Sequence, residues 1–210
     1  MPRPRMIARE RAQAIMKATL RLFARKGLAG TTTRQIARAA GVSEALLFKH
    51  FPTKDDLYRA ILRAKIAEGE RFLPLGHELD ALGDEEFFVH IAATIMRRVA
   101  LDDSFLRLWL ECALAGHGLA RAFHEARIEK LRDVVAARVR RIYARIHSRN
   151  RRGPIDARDA AFVWSGHVMS AILARQIFRD PHVRRLSVER HARLLATQFL
   201  GGLGVPAAAP

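Results

Sequence analysis

The 210-residue chain has a single cysteine, so no disulfide can form within it. That count fits a reducing compartment, where small stapled scaffolds are rare. No apolar run reaches the 18 or so residues that a membrane span needs. The N-terminus has arginines but no apolar core and no small-residue cleavage site, so a secretory leader is not expected. Strand signals are almost missing, because β-branched residues never alternate over a useful length. There are no internal repeats. Catalytic signatures are lacking too: no G-x-S-x-G, no phosphate-cradling glycine loop, and no H-x-x-x-H or H-E-x-x-H pair among nine histidines. The expectation is a non-enzyme without cofactor or metal. Acidic residues are few as well, 21 Asp+Glu against 37 Lys+Arg, for a formal net charge of +16.

That charge is unevenly placed. Residues 1–65 contain 15 basic and 4 acidic side chains, and the remaining 145 contain 22 and 17. More than two-thirds of the excess sits in the first third, the electrostatic footprint of a nucleic-acid module. The arm MPRPRMIARER adds arginines 3, 5, 9 and 11. It either reaches across the backbone or into a minor groove, as arms do elsewhere, or is a solvated, disordered start.

The richest stretch is TTTRQIARAAGVSEALLFKHFPTKDDLY, residues 31–58. Thr32 can cap a helix and Gln35, three residues on, completes a capping box. Ile36, Ala37 and Ala40 form the inward face, and Gly41 suits a tight turn. Ser43 caps a second short helix whose Leu47 and Phe51 face inward. Pro52 ends it, and Thr53 opens a third helix with Asp56 at the matching acidic position.

These spacings read as a helix-turn-helix. With Leu47 and Phe51 buried, Ala45 and Lys49 project outward, flanked by Leu46 and Phe48, and would enter a major groove. Lys49 can reach phosphate or guanine, and Ala45, Leu46 or Phe48 a thymine methyl. Glu44 either accepts from cytosine or supports the helix dipole. Arg34 has three readings: guanine, phosphate or solvent. Lys54, in the first turn of a helix where a cation is locally unfavourable, points to phosphate, with His50, Thr32, Thr33 and Ser43 as further backbone anchors.

The order of those residues resembles the DNA-binding domain of the TetR family of bacterial transcriptional regulators. The pattern T-x-x-x-I-A-x-x-A-G-V-S-x-x-x-L-Y-x-H-F-x-x-K-x-x-L stands here as Thr32/Thr33, Ile36, Ala37, Ala40, Gly41, Val42, Ser43, Leu47, Phe48, His50, Phe51, Lys54 and Leu57. Phe48 departs from it, replacing the usual Tyr and removing a hydroxyl. The resemblance implies an all-α fold: an N-terminal three-helix DNA-binding domain and a C-terminal six-helix domain for ligand binding and dimerisation. Helical periodicity agrees, with helices expected near 7–26, 32–40, 43–51, 54–72, 84–101, 104–116, 119–148, 156–180 and 188–203. Breaks fall at Asp102-Asp103, Gly116/Gly118, Gly153-Pro154 and Pro181. The expected division is 1–53 for the arm and DNA-binding domain, 54–204 for the regulatory domain, and 205–210 as a disordered tail.

Within the regulatory part the resemblance implies a pocket among the middle helices. Leu62, Ile66, Phe105, Trp109, Cys112, His117 and Phe123 are the candidates, although an aromatic stripe at that spacing is also what a core looks like. Cys112 reads as a buried structural thiol rather than a sensor. The last two long helices look like an assembly surface, and the resemblance implies a homodimer interface there, with Ala161, Ser165, Val168, Ile172, Leu194, Leu195 and Phe199 on the candidate stripe. An intrachain core has the same look, and some of these positions belong to one. The functional expectation is a cytoplasmic repressor, bound as a homodimer to a palindromic operator in double-stranded DNA. A hydrophobic or amphipathic small molecule would release it. A ligand-independent DNA-binding protein and an activator are the alternatives.

Overall fold

The computed structural model describes residues 8–27, 30–73, 76–146 and 155–205. The residues 1–7 of the arm, the Gly153-Pro154 break and tail residues 206–210 lie outside them. The described chain is all-helical: α1 (Ala8–Lys26), α2 (Thr33–Ala40), α3 (Glu44–His50), α4 (Lys54–Phe72), α5 (Asp84–Leu101), α6 (Ser104–Leu114), α7 (Gly118–Phe123), α8 (Lys130–Ile146), α9 (Ala157–Ile172), α10 (Pro181–Arg185) and α11 (Val188–Gly202). All nine expected helices are present, with three differences. The expected helix 119–148 runs as α7 and α8 joined by a wider π-helical segment, His124–Glu129. A second such segment, Leu173–Ile177, closes α9. Pro181 begins a helix instead of merely ending one, because Asp180 caps it by accepting from the Val183 N–H at 3.0 Å.

The chain forms two compact units. One comprises the residues up to Glu68 together with Asp103–His124; the other comprises Gly69–Asp102 and everything from Glu125 onward. In the first, Ile15 and Phe23 of α1, Ile36 of α2, Leu47 of α3, Leu57 and Tyr58 of α4 and Leu108 of α6 share a core at 2% exposure or less. Burial, with Cys112 beside it, pushes the Tyr58 hydroxyl far above its ordinary pKa. Burial also raises the Cys112 thiol, so this cysteine is no ready thiolate.

The second unit is built on α5 against α11 and α8 against α9. Its centre is aromatic: Phe88 lies 4.9 Å from Trp164 and 5.0 Å from Phe199, ring to ring. Ala192 and Ala196, both fully buried, present no bulk on the inward side of α11, which allows close approach to α5. A buried arginine fastens the stretch before α5. Arg138 of α8 donates to the carbonyls of Leu79 (2.5 Å) and Leu82 (2.9 Å) and to Asp84 (3.3 Å). Its guanidinium also stacks 4.4 Å from the centre of the Phe87 ring. Arg127 does similar work at the end of α4, donating to the carbonyls of Gly69 (2.7 Å) and Leu73 (2.6 Å). The Gly69 carbonyl also accepts from the Leu73 N–H at 3.0 Å, whereas the Leu73 carbonyl follows the last turn of α4, where a helix leaves its carbonyls without intrahelical partners.

His191 on α11 has a buried Nδ1 without a hydrogen-bond partner among the described residues. Burial first, and the charge of Arg175 second, hold its pKa below the ordinary value. The unfolded chain therefore takes up that proton more readily. His191 contributes stability that is fully present above the ordinary histidine pKa of about 6.5 and is lost as pH falls below it and through the lower folded value. We expect the urea midpoint to fall between about pH 7.5 and about pH 5, and to fall less in His191→Gln. Equal slopes would remove this residue from the acid sensitivity.

Candidate nucleic-acid interface

Local chemistry makes the helix-turn-helix. The Thr32 hydroxyl accepts from the Gln35 N–H at 3.2 Å, and the Gln35 side chain accepts from the Thr32 N–H at 3.2 Å, completing the box. Gly41 adopts φ +68, where a Cβ would be strained, and so ends α2 and turns the chain. Ser43 then accepts from the Leu46 N–H at 3.2 Å to start α3. Leu47 is 2% exposed and Phe51 9%, which fixes α3 against the core.

Outward, α3 presents Ala45, Phe48 and Lys49, all exposed, with Leu46 half-buried at their side. Ser43, Thr32 and Arg34 are also exposed, while Thr33, His50 and Lys54 are half-buried. Every DNA-facing candidate thus lies in α2, in α3 or within a few residues of their ends.

Two contacts were not legible in the sequence. The Thr33 hydroxyl donates to Glu44 at 3.2 Å and so ties the start of α2 to the start of α3. This contact of Glu44 is one that neither expected reading named. The Lys54 ammonium donates to the Thr31 carbonyl at 2.7 Å, while the buried Thr31 hydroxyl donates to the Gly27 carbonyl at 2.8 Å. These bonds hold the α2 N-terminus between the end of α1 and the start of α4. A run of three threonines gives no hint that the first is the buried one.

The pocket candidates all fall in the N-terminal unit, and the structure packs most of them together. Phe105 and Phe123 meet edge to face at 4.8 Å, and Trp109 lies 5.9 Å from Phe123. The Trp109 indole donates to the Ala120 carbonyl at 3.1 Å. Cys112 is 1% exposed within the core, and Phe105 and Trp109 pack against the same cluster. The ring of His117 lies 5.7 Å from that of Tyr58, and its Nε2 lies 3.9 Å from Asp55. On α4, Leu62 is buried and Ile66 half-buried.

Of the dimer candidates, Ala161, Val168, Ile172 and Phe199 are buried within the chain itself at 5% exposure or less. They are core residues, because α9 and α11 turn that stripe toward α5 and α8. Ser165 is half-buried, accepting from Arg132 at 3.0 Å, and Leu195 is half-buried. Only Leu194, 51% exposed, faces outward with Phe162 (62%) and Val163 (40%). Four of the seven stripe positions therefore lie on the inner face.

Among the described residues no group of His, Cys, Asp and Glu could hold a metal ion, and no helix is long and apolar enough to cross a membrane.

Residues 15–61 match the model for bacterial regulatory proteins of the tetR family. The helix-turn-helix transcriptional regulator LuxR of Vibrio harveyi is 32% identical over 110 residues, a match covering 52% of this chain and 53% of LuxR, so about half the length of that relative. A helix-turn-helix transcriptional repressor of Mycobacterium tuberculosis is 28% identical over 141 residues, covering 63% of this chain and 75% of the repressor. Among solved structures, AibR in complex with isovaleryl coenzyme A and operator DNA superposes with a TM-score of 0.66 at 23% identity, covering 93% of this chain and 99% of AibR. At that identity the likeness is one of fold.

Proposed function

Because the chain belongs to the tetR family of bacterial regulatory proteins, matched at residues 15–61, we propose that it is a sequence-specific repressor of transcription. A homodimer binds a palindromic operator in the cytoplasm, and a hydrophobic or amphipathic small molecule releases it. The observation that carries the DNA reading is the outward face of α3. Ala45, Phe48 and Lys49 stand exposed on a helix whose other side is locked into the core.

A seven-residue helix offers little affinity alone. Two copies, with half-sites about 34–36 Å apart on one face of the duplex, supply the rest. The outward faces of α9 and α11 support the pairing. Phe162, Val163 and Leu194 are exposed there, and a Cβ on Gly166 or Gly201 would meet nothing within 4 Å. Exposed apolar residues beside such open positions suit packing against a second copy. The effector class is supported by the regulator AibR, whose structure contains isovaleryl coenzyme A, an amphipathic molecule, together with operator DNA. Such a ligand acts only through its different affinity for the two states of the switch.

The test is a binding assay of the purified protein with the DNA upstream of its own gene, at about 0.15 M salt with competitor DNA. A tight complex of two subunits, or a multiple of two, is expected, and it supplies the readout for effector screening. Binding that salt erases and competitor removes would defeat the sequence-specific reading for that DNA.

Lys49 offers a sharper check. In a docked recognition helix the N-terminal residues meet base edges, whereas Lys49 sits in the last turn of α3. We therefore expect Lys49→Ala to weaken binding to all duplexes alike and to reduce the salt slope by about 0.9. A changed base preference would make Lys49 a reader instead.

A further inference from the structure

Between α1 and α2 lies a groove of about 390 Å³ that the recognition face does not use. Its floor is small and apolar: Ala14, Ala18 and Leu22 from α1, with Ala39 and Ala40 from α2. Its rim is Lys17, Arg21 and Arg25, three exposed cations at successive i,i+4 positions. None of the three has a hydrogen-bond or ion-pair partner among the described residues. No acidic residue lines the groove, and Glu10, in the first turn of α1, is the one acid on these two helices.

Three cations in one helical row repeat about every 6 Å. A partner helix running alongside presents carboxylates at that same interval when they too stand four residues apart. The alanine floor lets the backbone of such a helix come close, as small residues do wherever helices pack tightly. A duplex backbone would meet the charge but gain nothing from an apolar floor. We propose that this groove docks an acidic amphipathic helix of a second protein, with its apolar stripe on the alanines and its carboxylates on Lys17, Arg21 and Arg25. This is a second recognition surface on the unit that carries the helix-turn-helix, and it does not depend on the operator reading.

The experiment uses the full chain and a fluorescein-labelled helical peptide of about 14 residues, with Leu and Ala on one face flanked by Glu at i,i+4 spacing. Anisotropy at about 0.15 M salt is compared with that of a scrambled peptide of identical composition. The patterned peptide is expected to bind at least about tenfold tighter than the scrambled one. Ala39→Leu adds bulk at an exposed position of the floor. It should cut peptide binding about tenfold while duplex binding stays unchanged. Arg21→Glu with Arg25→Glu should abolish the preference for the patterned peptide. Equal binding of both peptides would overturn the proposal, as would peptide binding indifferent to Ala39→Leu. Parallel loss of duplex and peptide binding in Ala39→Leu would also overturn it, by assigning the groove to the DNA face.

Discussion

Arg138→Ala is expected to lower the unfolding free energy by about 3 kcal/mol, the scale set by breaking a buried charged pair from one side. The side chain is 6% exposed. Its removal strands the carbonyls of Leu79 and Leu82 and uncovers the Phe87 ring on one face. An orphaned buried acceptor costs about 1–3 kcal/mol on its own. Asp84 suffers less, because it keeps Arg145 as a partner. Arg138→Met separates the contributions, since it retains an apolar stem near Phe87 and loses every donor. It should recover a minority of the loss in a urea titration. A drop below about 1 kcal/mol in Arg138→Ala would mean that water replaces the guanidinium at those carbonyls.

Leu47→Ala is expected to cost about 3 kcal/mol in the unit that carries the reading head, within the range of buried leucine truncations. Leu47 is the one fully buried residue of α3, and the helix is seven residues long. A helix that short does not hold together in water without packing. The functional loss should therefore exceed the stability loss. We expect specific operator binding to vanish while salt-sensitive, sequence-indifferent attraction persists, since no charge changes. Phe48→Ala is the control: its ring is 44% exposed, so stability should barely move. If Leu47→Ala bound operator normally, α3 would not be the recognition element.

The N-terminal module was legible almost to the residue because its signals are local. A cap, a glycine turn, a second cap and a proline stop depend only on neighbours in sequence. The caps survive in the structure as hydrogen bonds, Gly41 as a positive φ, and α3 ends at His50, just ahead of Pro52. The ties that position the module were not legible. Lys54 to Thr31 spans 23 positions and Thr33 to Glu44 spans 11, and no periodicity encodes such pairs. The C-terminal part was legible as helices but not as faces. Spacing showed that Ala161, Val168 and Ile172 share a side of α9, yet an inward stripe and an interface stripe have the same apolar composition. The aromatic run Phe105, Trp109 and Cys112 carried the same ambiguity, and the structure packs it against the core that holds α1–α4.

The π-helical segment between α7 and α8 has a consequence for how chains of this kind drift apart. Such a segment amounts to one surplus residue wound into an otherwise α-helical rod. Its wider winding turns the chain less per residue, so the surplus residue is absorbed without rotating the helix that follows. The face that α8 buries, with Val135, Val139 and Ile142, is therefore indifferent to whether the surplus residue is there. Losing a single residue within His124–Glu129 would return the segment to α-helical winding and leave that face turned inward. A one-residue gap inside an uninterrupted helix, ordinarily the mark of a misalignment, is here a step that chains of this kind can take without repacking.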